Sequence, residues 1–294
     1  MILLTGSTGF LGSWLLKRFL ESGEDVVAVK RSFSDTSRIN SHLVNPRLHL
    51  YDLDRINPAT LFESHAIDTI VHAATQYGRE ATPIYVILEA NLIFPLRLAE
   101  LGMAHGVRCF INTDSYFNKN NSSYSNLLNY SLSKKSLLTW LQKFSDRVKI
   151  INVVLEHVYG PHDSESKFVE GLIRRIAIDR VTSVALTHGH QKRDFVYLDD
   201  VVSAYLKLVQ HGREHDFRFK TFEVGMGEST QIRDFAIAVK SLSGSPTQLC
   251  FGDIPYRSDE IMNSVADISQ LKELGWSPKI HVPEGIEKIL AEYG

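Results

Sequence analysis

Cysteine is scarce: Cys109 and Cys250 are the only two in 294 residues. Both sit in apolar runs, VRCFIN and QLCFG, which reads as two buried thiols in a reducing compartment and excludes a disulfide framework. An excess of either charge is also missing. The 34 acidic and 32 basic residues leave a net charge of −2, so there is no basic footprint for a nucleic acid. No apolar run approaches the ~20 residues that a bilayer span requires. The opening MILLTGSTG is too short for a secretory signal and passes directly into a glycine loop. These absences together predict a cytoplasmic protein with neither a nucleic-acid nor a membrane partner. Histidines, including His188 and His190 in HGH, form no coherent ligand set, so no metal is expected. What is present is ordinary for a globular chain: 44% hydrophobic and 22% charged residues. A chain of this length buries roughly three quarters of its unfolded surface and needs no staples.

Short β-rich runs alternate with helical patterns. MILLT is followed by GFLGSWLLKRFLESG, DVVAVK, RLHLYDL and DTIVHAA, then by a helical stretch from about Pro83 to Gly106. VRCFINT, a helix near 126–145 and VKIINVVLEHVYG complete the series. In the first helix Leu11, Leu15, Leu16, Phe19 and Leu20 share one face, and Gly23 stands where a left-handed cap ends it. This alternation predicts an α/β fold, a doubly wound parallel (Rossmann) sheet with a smaller C-terminal α+β lobe. The pattern weakens after Gly160-Pro161. DFVYLDDVVSAYLKLVQ is expected to return to the main sheet, with Asp199 as helix N-cap. The expected division is 1–160 plus 190–215 as the cofactor domain and 161–189 plus 216–294 as the substrate lobe.

TGSTGFLG lies between the first strand and the first helix, with glycines at Gly6, Gly9 and Gly12. Glycine there permits a tight turn and a close backbone approach to a pyrophosphate, which meets the positive helix end. Gly6, Thr8, Gly9, Phe10 and Leu11 are therefore the expected dinucleotide cradle. At the end of the second strand a carboxylate would hold an adenosine ribose and repel a 2′-phosphate. AVKRSFSDTSR has Lys30, Arg31 and Ser32 instead. A guanidinium with an ammonium suits a phosphate, so NADPH/NADP+ is expected over NAD(H). Asp35 is a ribose ligand if the strand ends later. Asp52, beside Leu53 in LYDL, is a candidate partner for the adenine amino group or a turn cap.

Tyr130 and Lys134 in NYSLSKK are four residues apart and share a helix face. A neighbouring ammonium favours the phenolate and is expected to lower the Tyr130 pKa. Thr113 ends a central strand, where ligands gather in doubly wound sheets.

TGSTGFLG, HAA at 72–74, Thr113, Tyr130-x-x-x-Lys134, VYGP at 158–161 and RDFVYLDD at 193–200 resemble the extended short-chain dehydrogenases/reductases that act on nucleotide sugars. The motifs run in family order over nearly the whole chain. NTDSYF, LEHVYGP, RDFVYLDDVVSAYL and EIMNSVAD…LGWSP are similar to members that use NADPH to reduce the 4-keto group of a CDP-4-keto-3,6-dideoxy sugar, a step toward surface-polysaccharide (O-antigen) sugars. The resemblance implies that Thr113 holds the C4 oxygen, Tyr130 is the acid/base, and Lys134 holds the nicotinamide ribose and tunes Tyr130. It implies that His72, Ala73 and Ala74 line the cofactor and that Arg193 and Arg257 bind the sugar-nucleotide diphosphate, for which a planar fork is suited. It also implies a homodimer built on the helices near 83–106 and 126–145. His157 stands where relatives carry asparagine and Val154 where many carry arginine. His157, Gln76 and Tyr77 are candidate sugar contacts.

Related 4,6-dehydratases carry Thr-Asp-Glu where this chain has Thr113-Asp114-Ser115. A serine is no general base near neutral pH, so dehydration loses half its machinery. Asp114 and Ser115 are then expected to shape the sugar pocket. The basic Lys30-Arg31 pair argues against epimerases with tightly held NAD. GDP- or dTDP-linked 4-keto sugars, a 4-epimerase and a non-catalytic NADP-binding sensor or scaffold are the alternatives.

Overall fold

The computed structural model describes residues 1–79, 82–121 and 127–293. They group into two compact units, 1–154 with 202–222 and 155–201 with 223–294. No helix among the described residues is long and apolar enough to cross a membrane.

The first unit contains β1 (Ile2–Thr5), α1 (Phe10–Glu21), β2 (Val26–Lys30), β3 (Leu48–Asp52), α2 (Ala59–Ser64) and β4 (Thr69–His72). A helical run follows, α3 (Ile84–Leu88), a π-helical turn Glu89–Ile93 and α4 (Phe94–Ala104). Then come β5 (Cys109–Ser115), α5 (Leu128–Phe144) and β6 (Lys149–Leu155). The helix foreseen near 126–145 begins at Leu128; its expected first residue, 126, lies outside the described residues. The second unit contributes β7 (His157–Tyr159), α6 (Phe168–Ile173), β8 (Ser183–Leu186), β9 (Lys192–Arg193) and β10 (Phe195–Tyr197). The chain continues through α7 (Leu198–Glu214), β11 (Phe219–Val224), β12 (Thr230–Gln231), α8 (Ile232–Ser243), β13 (Gln248–Phe251), α9 (Ser269–Glu273) and α10 (Val282–Tyr293).

Among the described residues the main sheet has seven strands in the order β3-β2-β1-β4-β5-β6-β11. β1 pairs parallel with β2 and β4, β2 with β3, and β4 with β5. The registers Thr5↔His72, His72↔Asn112 and Lys30↔Asp52 align the carboxyl ends along one edge. The order reverses between β1 and β4, and ligands of such sheets bind at that switch point. β1, β2 and β4 are buried along their length apart from Lys30. Both faces are covered, which is why these strands read as unbroken apolar runs. Leu3, Val27, Ile70, Phe110 and Ile150 from the sheet pack with Leu98 of α4 and Leu137 and Leu141 of α5. Gly23 has φ +83 and donates to the Leu20 carbonyl oxygen, ending α1 as foreseen.

The second unit has its own core, in which Tyr159, Phe195 and Tyr197 meet Phe235 of α8 and Ile286 and Ile289 of α10. A Cβ at Gly285 would fall 2.1 Å from the Tyr159 hydroxyl, so α10 packs on that ring through glycine. Two expectations are corrected here. Phe195–Tyr197 does not join the main sheet but pairs parallel with His157–Tyr159, and Lys192–Arg193 pairs with Thr230–Gln231. Residues 190–201 therefore belong to the second unit, and β11 occupies the place beside β6. Asp199 lies inside the first turn of α7 rather than at its N-cap. Asp200 instead accepts the backbone N–H groups of Lys279 and Ile280.

Candidate active site

The glycine loop is dictated partly by the chain itself. Gly6 has φ +71, and a Cβ there would lie 2.7 Å from the Ala74 nitrogen. A Cβ at Gly12 would lie 1.9 Å from the Gly6 carbonyl oxygen. Gly9 donates to that same oxygen, and α1 starts with no side-chain cap, its first internal bond running from Ser13 to Gly9. The N-terminus of a twelve-residue helix thus faces a loop of glycine backbone. Such an end offers unsatisfied N–H donors and a positive dipole to an anion, so the cradle fits a dinucleotide pyrophosphate. Gly9 is exposed, with Thr8, Phe10 and Leu11 half-buried around it.

His72 does not present its ring to this edge. It is fully buried, bonded through Nδ1 to the Thr5 hydroxyl at 2.9 Å and flanked by Phe94 and Phe110. Thr5 also accepts the Ala74 N–H at 3.1 Å. Burial, and then Lys134, hold His72 well below the usual imidazole range. It braces β4 against β1 as a neutral ring, while Ala73 and Ala74 are half-buried.

At the end of β2, Lys30 Nζ reaches Asp52 Oδ1 at 2.5 Å. The carboxylate foreseen for adenine is thus a counter-ion for the lysine foreseen for phosphate. Ser32 gives its N–H and hydroxyl to Asp54 at 2.7 and 2.5 Å. Asp35 closes a turn by accepting from Ser37. Leu53 donates its N–H to the Lys30 carbonyl oxygen. The Arg31 guanidinium lies over the Phe33 ring, 4.6 Å from its centre.

Thr113, Tyr130 and Lys134 all lie in the first unit. Thr113 is half-buried near the end of β5, and Lys134 Nζ donates to its carbonyl oxygen at 2.8 Å. Tyr130 and Lys134 sit one turn apart on α5, both buried. Gln76 and Tyr77 are half-buried, and Tyr77 stacks on Tyr130 at 5.0 Å with an angle of 24°. Burial lowers Lys134 to about 8, against the opposing pull of Asp114. The expected acidification of Tyr130 does not occur. Burial, then Tyr77 and Asp114, push its phenol well above the ordinary range, opposed by a hydrogen bond from Ser115. The ammonium that was to acidify it is directed at the Thr113 carbonyl.

Asp114 is buried among hydrogen-bond donors. Its Oδ1 accepts from the Ser115 N–H at 2.8 Å and from Asn118 Nδ2 at 2.6 Å; its Oδ2 accepts from Asn152 Nδ2 at 3.1 Å. Burial raises its pKa against the pull of Lys134 and these donors. Asn112 extends the chain by donating to Asn152 Oδ1 at 2.7 Å. Polar residues inside apolar parallel strands, CFINTDS and KIINVVL, are the signal that could have revealed this network. Two further residues escaped sequence reasoning. Asn91, in the π-helical turn, bonds the backbone of Gln76 in both directions and also Ser133, which in turn bonds the Tyr130 carbonyl oxygen. Tyr205 of α7 places its hydroxyl 2.6 Å from Thr113 Oγ1.

In the second unit Arg193 is buried and donates to Glu260 and to the carbonyl oxygens of Ile261 and Lys192. Its fork is engaged by its own loop; Arg257, four residues before Ile261, is exposed and also has a partner. Burial, then Arg193 and Lys167, hold His157 down to about 3, so it is a neutral ring at physiological pH. Asp194 accepts the N–H groups of Met226, Gly227 and Ala266, and a Cβ at Gly225 would lie 2.4 Å from its Oδ2.

The family model described as the NAD dependent epimerase/dehydratase family matches residues 2–225. CDP-abequose synthase of Salmonella muenchen is 35% identical over 99% of this chain and 97% of its own length. The enzyme of the same name from Salmonella typhimurium is 34% identical, with 98% and 97% covered. Among solved structures, UDP-glucose 4-epimerase from Thermotoga maritima with UDP-glucose superposes with a TM-score of 0.82 at 24% identity, covering 99% and 97%. That likeness carries the fold.

Proposed function

We propose, from the premise that the chain belongs to the NAD dependent epimerase/dehydratase family, that it uses NADPH to reduce the 4-keto group of a nucleotide-linked deoxysugar. The observation that carries this reading is the convergence of Thr113, Tyr130 and Lys134 in one unit with Ser115, not a carboxylate, beside Asp114. The names of the relatives at 35% and 34% identity favour a CDP-4-keto-3,6-dideoxyhexose as substrate. The reduced nicotinamide, when bound, supplies the hydride that C4 accepts. Tyr130, kept protonated by burial, donates its phenolic proton to the C4 oxygen as charge develops there. Thr113 donates a hydrogen bond to the same oxygen, and donors fixed in place before reaction stabilise such charge without reorganising. Lys134 supplies positive charge beside the proton donor. The cradle from Gly6 to Leu11 holds the pyrophosphate, and Arg257 offers an exposed guanidinium to the sugar-nucleotide diphosphate. Incubating the protein with NADPH and CDP-, dTDP- or GDP-linked 4-keto sugars, with cofactor absorbance and product NMR as readouts, tests the reading. Interconversion of UDP-glucose and UDP-galactose without cofactor consumption would identify a 4-epimerase instead.

The preference for NADPH rests on Arg31. The Lys30 ammonium is neutralised by Asp52, so the guanidinium held on Phe33 is the group that meets a 2′-phosphate. A hydrogen bond to a charged group is worth ~1.5–3 kcal/mol. Replacing Arg31 with Ala is expected to raise KM for NADPH by roughly tenfold or more and to leave KM for NADH nearly unchanged. Equal effects on both cofactors, measured in steady-state kinetics, would reject this role.

A homodimer completes the proposal. Ile84, Tyr85 and Ile93 of the α3–α4 run and Leu132 and Trp140 of α5 expose apolar side chains. Ile93, Leu96, Trp140 and Phe144 line one groove with Arg97 and Glu100. An apolar patch rimmed by charge is the usual signature of a protein interface. A Trp140→Glu substitution is expected to yield monomers in sedimentation velocity; an unchanged dimer would place the interface elsewhere.

A further inference from the structure

The Thr113 hydroxyl carries one proton, and what Tyr205 does with its own proton decides where that one points. The two oxygens lie 2.6 Å apart, a distance at which either could donate. Tyr205 is fully buried in α7, whereas Thr113 is half-buried at the sheet edge. If Thr113 donated to Tyr205, the phenolic proton would find no other acceptor among the described residues, which costs more than a hydrogen bond gains. With Tyr205 as donor, both demands are met: the phenol is satisfied, and the threonine proton is left for an oxygen arriving from the open side. A phenol is also the more acidic of the two hydroxyls and the better donor. Burial pushes Tyr205 further upward, so it stays protonated over the working range.

We infer that Tyr205 is a positioning residue, which fixes the Thr113 hydroxyl as a donor directed at the sugar C4 oxygen. This rests on the reading of Thr113 given above. The resulting series, Tyr205 to Thr113 to the C4 oxygen, is one in which each bond polarises the next. The link joins residues 92 positions apart, and α7 contributes nothing else to the triad. The competing account is that Tyr205 is only a packed ring and that the stiff χ1 of threonine sets the hydroxyl.

Tyr205→Phe removes a single oxygen and keeps the ring. The expected result is a kcat for 4-keto reduction lowered about tenfold, the fold-change of one ~1.4 kcal/mol interaction, with KM for NADPH unchanged and the melting temperature close to wild type. In a Thr113→Val background the same substitution adds no further loss of kcat. Full additivity of the two losses, or an undiminished kcat in Tyr205→Phe, overturns the inference. A crystal structure of Tyr205→Phe supplies a readout free of turnover: Thr113 Oγ1 leaves its position or divides between rotamers, and a single unmoved rotamer counts against positioning. If the wild-type protein reduces no 4-keto sugar, the functional reading fails by itself, and the rotamer result still judges the Tyr205–Thr113 link. Should Tyr205→Phe not fold, 3-fluorotyrosine at position 205 carries the test. Its fluorine resonance shifts when NADP+ and the reduced sugar bind and does not in the Thr113→Val background; a resonance indifferent to ligand overturns the inference.

Discussion

Replacing Tyr130 with Phe lowers kcat for 4-keto reduction by about a thousandfold and leaves NADPH affinity within about a factor of two. A positioned proton donor contributes typically 10²–10⁴-fold, and Tyr130 is the only phenol four residues before a lysine on its helix face. The ring itself packs against Tyr77 and Phe117, and Phe preserves those contacts, so the loss isolates the proton. Cofactor affinity is retained because the cradle lies in the β1–α1 loop, remote in sequence from α5. The shape of the pH profile follows from which group titrates. With Tyr130 raised far above the ordinary range and Lys134 lowered to about 8, both groups keep their protons through neutrality, and the ammonium is the first to lose its own on the basic side. The rate is therefore flat near neutral pH and falls above about 8, as Lys134 gives up its charge. Cofactor fluorescence titration and a pH–rate profile check both parts. Residual activity within tenfold of wild type would remove Tyr130 from the role of acid.

The fold was legible where local pattern and topology coincide. ILLT, VVAVK and TIVH are buried on both faces and read as parallel strands, and Gly6, Gly12 and Gly23 stand where the backbone admits little else. Tyr130 and Lys134 were legible because a helix converts four residues of spacing into one face. Pairings between distant residues left no such mark. Lys30 and Asp52 looked like two separate cofactor ligands, yet the parallel register of β2 and β3 sets them side by side. Nothing in VVSAYL marks Tyr205 as carrying a hydroxyl that meets residue 113. The three-residue β10 carried too little periodicity to reveal that its partner is β7 rather than the main sheet. The acidified tyrosine was wrong for an energetic reason. A neighbouring ammonium favours the phenolate, but burial disfavours it and is the larger effect.

Burial also makes Asp114→Ala a strongly destabilising change. Lys134 is 1% exposed and Asp114 3% exposed, and the carboxylate is the charge that draws the lysine pKa upward against desolvation. Deleting the carboxylate leaves the buried ammonium without the nearby charge that opposes its desolvation. The side-chain amides of Asn118 and Asn152 lose their acceptor as well. Removing the carboxylate's own desolvation offsets part of this, and the donors left without an acceptor put the expected loss at ~2–3 kcal/mol at neutral pH. The pH dependence separates this account from simple cavity formation. Lys134 titrates at about 8 in the folded protein and at ~10.4 when unfolded. Between those values the unfolded chain binds a proton that the folded one lacks, so stability rises with pH. Without Asp114 the folded pKa drops further, and the penalty that this adds is present in full below the new value. It fades as pH rises through about 8, above which Lys134 is neutral in both proteins. Urea unfolding at neutral pH and again about two units higher should therefore show the gap between variant and wild type narrowing, and the basic limb of kcat should move to lower pH. A gap equal at both pH values, with an unmoved limb, would reduce Asp114 to a space-filling acceptor and detach it from Lys134.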